Sequence, residues 1–272
     1  MRKILLPAVV ATSVLLAAAP AHAVPPAGQA AFAGAQVRID VGGRKLNMYC
    51  LGKGSPTVLF EADAGRAGWD WSAVMPQVAA RTRACVYDRA GMGASDPIIR
   101  AASVGNASRD LGFLLKNARI EAPLVLVGAG FGALVAQQYA WRSRGAVTGL
   151  VLVDALHEDA LPAGRDVQLQ AALGCLAAAE QGSTGAGCGY PTAAYNDEVG
   201  PALAAAQVAQ LRKPMYWRAR ASELDSLEIS ATQVRTARKP FGTLPLVAVE
   251  QGDAAAIVAA VMQVLDQRSP LK

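Results

Sequence analysis

The sequence feature that most limits the possible folds is the segment 123–140, which reads PLVLVGAGFGALVAQQYA. Its first part is an almost uninterrupted apolar run, which is typical of a strand buried on both faces of a parallel sheet. A turn with three glycines follows at residues 128–132, and an alanine-rich stretch with helical composition comes next. A strand that passes through a tight turn directly into a helix is the repeating unit of an α/β fold.

The same alternation of strands and helices is found on both sides of this segment. Further strands are predicted at PTVLFEA, TRACVYD, VTGLVLVDA and GTLPLVAVE, and a hairpin is predicted around Gly42 and Gly43. Helices are predicted at DWSAVMPQVAAR, ASRDLGFLLKNA with Ser108 as its N-cap, and DAAAIVAAVMQVLDQ. Residues 158–238 interrupt the alternation, since they are rich in Ala and Gln and helical in character. They predict a helical cap inserted into a core made of residues 36–157 and 239–272.

The beginning of the chain has the pattern of a secretory signal peptide. Arg2 and Lys3 precede an apolar stretch, and the small residues of Ala21-His22-Ala23 form a cleavage site. We therefore predict cleavage after Ala23, a flexible leader at residues 24–35, and a secreted or periplasmic protein without a stable membrane anchor. The net charge of +5 is spread along the chain and is not interleaved with aromatic residues, so nucleic-acid binding is not expected.

The four cysteines favour disulfides over a metal site. An even number of cysteines in an exported chain is typical of disulfide bonding. Their spacings do not form a CxxC pair, and beyond the signal segment the chain contains one histidine, His157. No metal site is therefore predicted.

The glycine turn is compatible with a dinucleotide site. Residues 128–133 match the pattern G-x-G-x-x-A, they open a helix, and the next predicted strand ends at the acidic Asp154. In such sites the helix N-terminus holds the pyrophosphate and the acid holds the ribose. Three predicted strands precede this turn, although such a unit usually begins the fold. Dinucleotide binding is kept as an alternative, and no cofactor is predicted in the main interpretation.

A longer part of the chain supports another interpretation. The loop sequence YDRAGMGASD at residues 87–96, its spacing to PLVLVGAGFGAL and the later GLVLVDALHED resemble the α/β-hydrolase family, in particular exported bacterial esterase-like members. The resemblance covers about residues 36–160 and, more weakly, 243–267. It implies a doubly wound, mostly parallel sheet with an inserted helical cap and, in this chain, a shortened C-terminal part.

Two departures from the family's pattern remove the same chemistry. The nucleophile elbow of that family reads G-x-S-x-G, and here Gly130 stands at the position of the serine. The family's catalytic histidine lies between its last strand and last helix, whereas this chain has no histidine after His157. The resemblance also implies an oxyanion-hole region at Asp63, Ala64 and Phe131. Hydrolase activity is thus implied by the resemblance but left open by these departures.

The resemblance also suggests roles for the remaining candidates. It places the strand with Cys50 beside the strand with Cys85, and Cys175 with Cys188 would close a loop inside the cap. The main prediction is a catalytically impaired pseudo-hydrolase that binds a small apolar ligand between core and cap. The first alternative is an active esterase with a non-standard residue set, such as His157 with Asp154.

Overall fold

The computed structural model describes residues 26–189 and 199–267. The predicted signal segment, including the cleavage site after Ala23, lies outside these residues. The strands are β1 (Val37–Asp40), β2 (Lys45–Leu51), β3 (Thr57–Glu61), β4 (Ala84–Tyr87), β5 (Leu124–Ala129), β6 (Val147–Val153) and β7 (Leu246–Val249). The helices are α1 (Pro26–Gln29), α2 (Met75–Ala79), α3 (Val104–Asn117), α4 (Phe131–Arg142), α5 (Arg165–Glu180), α6 (Pro201–Leu211), α7 (Pro214–Asp225), α8 (Leu227–Ala237) and α9 (Ala254–Gln267).

The seven strands form one sheet in the order β1-β2-β4-β3-β5-β6-β7. The pairs β1/β2 and β2/β4 are antiparallel, and the other four pairs are parallel. Every residue of β3, β4 and β5 is buried, as expected for central strands covered by helices on both faces. The predicted α/β fold with a doubly wound, mostly parallel sheet is therefore confirmed.

In the described residues between β6 and β7 lie the helices α5 to α8, within the segment predicted to be a helical cap. The C-terminal part is short, because only residues 250–253 separate β7 from α9. None of the helices in the described parts of the chain has the length and apolar character needed to cross a membrane.

Three local features differ from the sequence-based expectations. Helix α3 begins one turn earlier than predicted, because the Oγ of Ser103 accepts the Asn106 N–H at 3.4 Å, and Ser108 lies buried inside the helix. The helix predicted at residues 70–81 is divided into a 3-10 turn at Gly68–Trp71 and the short α2. Part of the predicted flexible leader packs on the core, since the ring of Phe32 is buried 5.0 Å from that of Tyr49.

Both cysteine pairs suggested by the resemblance are disulfide-bonded. Cys50 and Cys85 lie directly opposite each other on β2 and β4, with a Cα–Cα distance of 4.1 Å. Cys175 of α5 is bonded to Cys188, so the second disulfide lies wholly within the cap. Two disulfides are consistent with a non-reducing, extracellular type of environment.

Candidate functional site

The glycine turn joins the buried β5 to α4 at the carboxyl edge of the sheet. Gly130 lies between them with φ of 50° and ψ of −115°, a conformation that strains a residue with a Cβ. Its N–H donates to the carbonyl of Val153 at 3.0 Å, which fixes the turn against the end of β6. This geometry matches a strand–elbow–helix unit in which the central residue projects from the strand end.

The space that a side chain at position 130 would need is filled by the carboxylate of Asp63. A Cβ built on Gly130 would overlap the Asp63 carboxyl group. The Oδ1 atom of Asp63 accepts the N–H of Phe131 at 2.7 Å and the N–H of Ala64 at 2.6 Å. Asp63 thus lies at the N-terminus of α4, where backbone donors and the helix dipole favour a negative charge.

The structure therefore brings together Asp63, Ala64, Phe131 and Gly130, which sequence reasoning had assigned to an elbow and an oxyanion-hole region. We call these four residues the elbow cluster. An oxyanion hole needs two N–H groups that converge on the oxygen of a reacting substrate. Here the N–H groups of Ala64 and Phe131 converge on an oxygen of the protein itself.

This arrangement is unfavourable for the dinucleotide alternative. A pyrophosphate would need the helix N-terminus that the Asp63 carboxylate occupies, and two anions would then be in contact. Gly132 has no free face for a ligand either, since a Cβ there would overlap the backbone oxygens of Glu61 and Ala62. The glycines of this turn allow the chain's own segments to approach each other closely.

A buried charge network holds the loop that carries Asp63. The guanidinium of Arg89 donates to the carbonyls of Ala62 at 2.5 Å and Asp63 at 2.7 Å. The same group forms an ion pair with Glu223 of α7 at 2.8 Å, and Glu223 also accepts the N–H of Gly65 at 2.7 Å. Because Glu223 belongs to the cap, core and cap share one buried cluster of charges directly behind the elbow cluster.

Glu61 completes this network on the sheet side. Its carboxyl group accepts the hydroxyl proton of Tyr87 and lies 3.5 Å from Arg89. Burial raises the pKa of Glu61 to about 7, and this effect exceeds the opposing influence of Arg89. The contacts of its carboxyl group with Tyr87 and Arg89 place Glu61 in the bracing of the loop.

Asp88 and Arg89 of the YDRAGMGASD sequence each brace a different loop. Asp88 accepts the N–H of Gly68 at 2.8 Å and that of Ala94 at 3.0 Å. Arg89 points to the Asp63 loop and lies with its guanidinium carbon 5.2 Å from the centre of the Phe131 ring. The YDRAGMGASD sequence therefore supports the site without supplying a reacting group to it.

The two leftover catalytic candidates are not joined to the elbow cluster or to each other. The Nδ1 atom of His157 accepts the N–H of Asp159 at 3.1 Å, and the side chain is 62% exposed. Asp154 accepts the N–H of Gln251 at 2.6 Å, which ties the end of β6 to the short turn after β7. Within the described residues, no hydrogen bond connects His157 with Asp154 or Asp63.

His157, Glu158 and Asp159 lie close enough to be considered as a metal-binding group. The two carboxylates are already bound by arginines of the cap end, with Arg238 at 2.6 Å from Glu158 and 3.2 Å from Asp159. Arg235 lies 3.5 Å from Asp159 as well. A cation would have to displace these guanidinium groups, so the donor set does not suit a metal.

An open cleft of about 500 Å³ lies beside the elbow, where the chain leaves the core for the cap and returns from it. It is lined by Gln137 and Trp141 of α4, Leu152 of β6, residues 155–158 and residues 238–241. We call it the return cleft. Its volume is in the range of small-molecule sites. The cleft runs along α4, from residues 155–158 at the carboxyl end of β6 to Trp141 in the last turn of α4, at the opposite edge of the sheet.

Sequence reasoning missed Glu223 and the return cleft. Nothing in the local sequence of α7 distinguishes Glu223 from an exposed helical glutamate. The cleft combines three segments that are distant along the chain, although the aromatic residues Trp141 and Phe241 flanking the cap insert were a usable signal.

The chain is similar to known proteins over short stretches of sequence and, in its fold, over most of its length. No protein-family model matches the sequence. An uncharacterised protein of Schizosaccharomyces pombe is 38% identical over 97 residues, which are 36% of this chain and 18% of that protein. The uncharacterised protein YqjL of Bacillus subtilis is 28% identical over 103 residues, which are 38% of this chain and 41% of that protein. The matches thus span less than half the length of these curated relatives.

Solved structures match nearly the whole chain. An alpha/beta hydrolase fold protein from Burkholderia ambifaria has a TM-score of 0.58 and 17% identity, over 89% of this chain and 99% of that chain. A candidate epoxide hydrolase from Pseudomonas aeruginosa has a TM-score of 0.66 and 14% identity, over 85% and 94%. A mutant of DBJA has a TM-score of 0.62 and 15% identity, over 85% and 98%. At these identities the likeness is one of fold.

Proposed function

We propose that this chain, which has the α/β-hydrolase fold, is a catalytically impaired pseudo-hydrolase that binds a small, largely apolar ligand in the return cleft. The observation that carries the proposal is the Asp63 carboxylate on the N–H groups of Ala64 and Phe131. A carboxylate in this position repels the oxyanion that ester hydrolysis would generate there.

The other parts of a hydrolytic mechanism are also unsupported. Gly130 offers no nucleophile, and the short turn at residues 250–253 contains no histidine that could act as a base. His157 is exposed and bonded within its own loop, so it has no reacting group to deprotonate. The groups that a hydrolase needs are missing or unsuitably placed at three separate segments, at Gly130, at residues 250–253 and at His157. This favours a protein that uses the fold for binding.

The return cleft supports the binding part of the proposal. It is open to solvent at the junction of core and cap, and its walls include Trp141, Leu152 and Phe241. Apolar walls with a few polar groups at the rim are characteristic of small-molecule sites. Together with the predicted signal segment, the two disulfides suggest that the ligand is met outside the reducing cytoplasm.

The absence of serine-hydrolase chemistry can be tested on the purified chain. We expect no labelling by a serine-reactive fluorophosphonate probe and no turnover of short-chain nitrophenyl esters above the buffer rate. The variants Asp63→Asn, His157→Ala and Asp154→Asn separate possible sources of any activity. Turnover that is lost in His157→Ala would overturn the proposal and support the esterase alternative.

One specific observation favours a second candidate function. The Asp63 carboxylate lies at the elbow, so it could itself attack an electrophilic carbon, with an ester bond forming as a halide leaves or an epoxide opens. Intact-mass measurement after incubation with 1-bromohexane or styrene oxide tests this function. An adduct on Asp63 that is absent from Asp63→Asn would replace the binding proposal with this one.

A further inference from the structure

We infer that the return cleft selects a flat organic carboxylate over a neutral molecule of the same shape. This inference rests on the proposed function, because it assigns a chemical class to the ligand of that cleft. It depends on two properties of the lining, a planar aromatic wall and an unpaired cation at the rim.

The aromatic wall consists of Trp141 from α4 and Phe241 from the segment that returns from the cap. Their rings are stacked, with centroids 5.2 Å apart and planes inclined by 12°. Leu152 and Pro240 line the same cleft. Because the two rings stack on each other and Trp141 is buried, the surface left for a ligand is the half-buried Phe241 with its apolar neighbours in the cleft, on which a planar apolar body can pack.

The charges around the cleft leave one cation without a partner. Glu158 and Asp159 are bound by Arg235 and Arg238, which neutralise them. Lys239 lines the cleft next to Arg238, and no ion pair or hydrogen bond of its ammonium group is found in the described part of the chain. An ammonium group beside an apolar wall attracts a carboxylate more strongly than one surrounded by water does.

The test compares two probes with the same ring system. The purified full chain is titrated with 2-naphthoate and with the neutral 2-naphthalenemethanol, and binding is followed by calorimetry at low and physiological salt. We expect 2-naphthoate to bind about fivefold more tightly, since one partly exposed charge pair contributes up to about 1 kcal/mol. This preference should shrink as salt is added.

Three variants assign the preference to the cleft. Lys239→Met should remove the preference for 2-naphthoate, while Lys53→Met, a change at an exposed lysine outside the cleft, should preserve it. Phe241→Ala should weaken the binding of both probes to a similar extent, because it removes the half-buried aromatic ring of the cleft.

The outcomes separate this inference from the proposed function. Equal binding of the two probes, with both weakened by Phe241→Ala, would refute the charge selection and leave the binding function intact. A preference for 2-naphthoate that survives in Lys239→Met would also refute it. If neither probe binds, both the inference and the assignment of the cleft as a ligand site fail.

Discussion

The elbow cluster and the return cleft both involve α4, the first at its N-terminus and the second along its later turns, and they differ in packing, solvent exposure and charge pairing. At the elbow, the chain's own carboxylate occupies the donors, and the supporting loop is fixed by the buried Arg89 and Glu223. The return cleft is open to solvent, and Arg238 and Lys239 at its rim are exposed. The elbow is thus closed and rigidly supported, whereas the cleft offers space and an unused charge.

This difference indicates which part of the molecule is closed by its own contacts and which part is open to solvent. The elbow contributes stability through tight packing and buried ion pairs, and it needs no ligand to satisfy its donors. The cleft borders the core through the buried Trp141 and Leu152, and the ammonium group of Lys239 at its rim has no ion pair or hydrogen bond among the described residues. Perturbation of the elbow should therefore change stability, and perturbation of the cleft should change binding.

The largest expected effect is on the ion pair behind the elbow. Glu223→Gln removes one charge of a buried pair and leaves the Arg89 guanidinium without its nearest carboxylate. We expect the free energy of unfolding to fall by about 3–5 kcal/mol, measured by urea denaturation with the disulfides intact. Glu228→Gln is the matched control, because its pair with Arg165 lies at the surface and should contribute less than about 1 kcal/mol. Equal effects of the two variants would contradict the bracing role.

The next effect concerns the elbow itself. Gly130→Ser places a Cβ at strained backbone angles and against the Asp63 carboxylate, so we expect a loss of about 2–3 kcal/mol and no gain of esterase activity. Gly145→Ser, where a Cβ meets nothing within 4 Å, should be close to neutral.

Removal of the Asp63 side chain sharpens this prediction. In the double variant Asp63→Gly/Gly130→Ser the overlap is relieved, and the combined loss should be smaller than the sum of the two single losses by at least about 0.5 kcal/mol. Additive losses would show that Asp63 does not fill the elbow in solution. Esterase activity in the double variant would reveal a base that the present geometry does not provide.

The smallest of these effects is a pH dependence that belongs to the elbow region. The pKa of Glu61 is raised from 4.5 to about 7 in the folded chain, so the folded state binds more protons than the unfolded state between these values. Stability should therefore fall as pH rises from about 5 to 7 and level off above, by about 2 kcal/mol in total.

Glu61→Gln should remove this part of the slope. Burial also raises the pKa of Asp88 and of Asp110, and both groups remain in the variant, so the difference between the two stability profiles isolates Glu61. Parallel profiles for the variant and the original chain would show that Glu61 does not titrate in this range.

The sheet and the elbow could be predicted from the sequence because their signals are local. The central strands are runs of apolar residues, and the turn at Gly130 has its own composition. The positions of Asp63, Ala64 and Phe131 followed from the resemblance, which implied an oxyanion-hole region there.

It could not be predicted in the same way that the Asp63 carboxylate accepts the N–H groups of Ala64 and Phe131. The orientation of the Asp63 side chain depends on a loop that is held by Arg89, 26 residues away, and by Glu223, 158 residues beyond Gly65. The N-cap of α3 was misplaced for a related reason, since both Ser103 and Ser108 suit a cap and only packing distinguishes them. Contacts between residues that are distant in sequence decide these details, and the local amino-acid composition carries no signal of such contacts.

The position of Glu223 has a consequence for the way a ligand could enter the space between core and cap. In a fold whose cap opens like a lid, the cap must separate from the core during each cycle. Here that separation would strip a buried carboxylate from both Arg89 and the N–H of Gly65, and exposing or isolating such charges is unfavourable. Opening of the cap would therefore be costly at this point, and we expect a ligand of the proposed cleft to enter from the solvent side, beside Lys239.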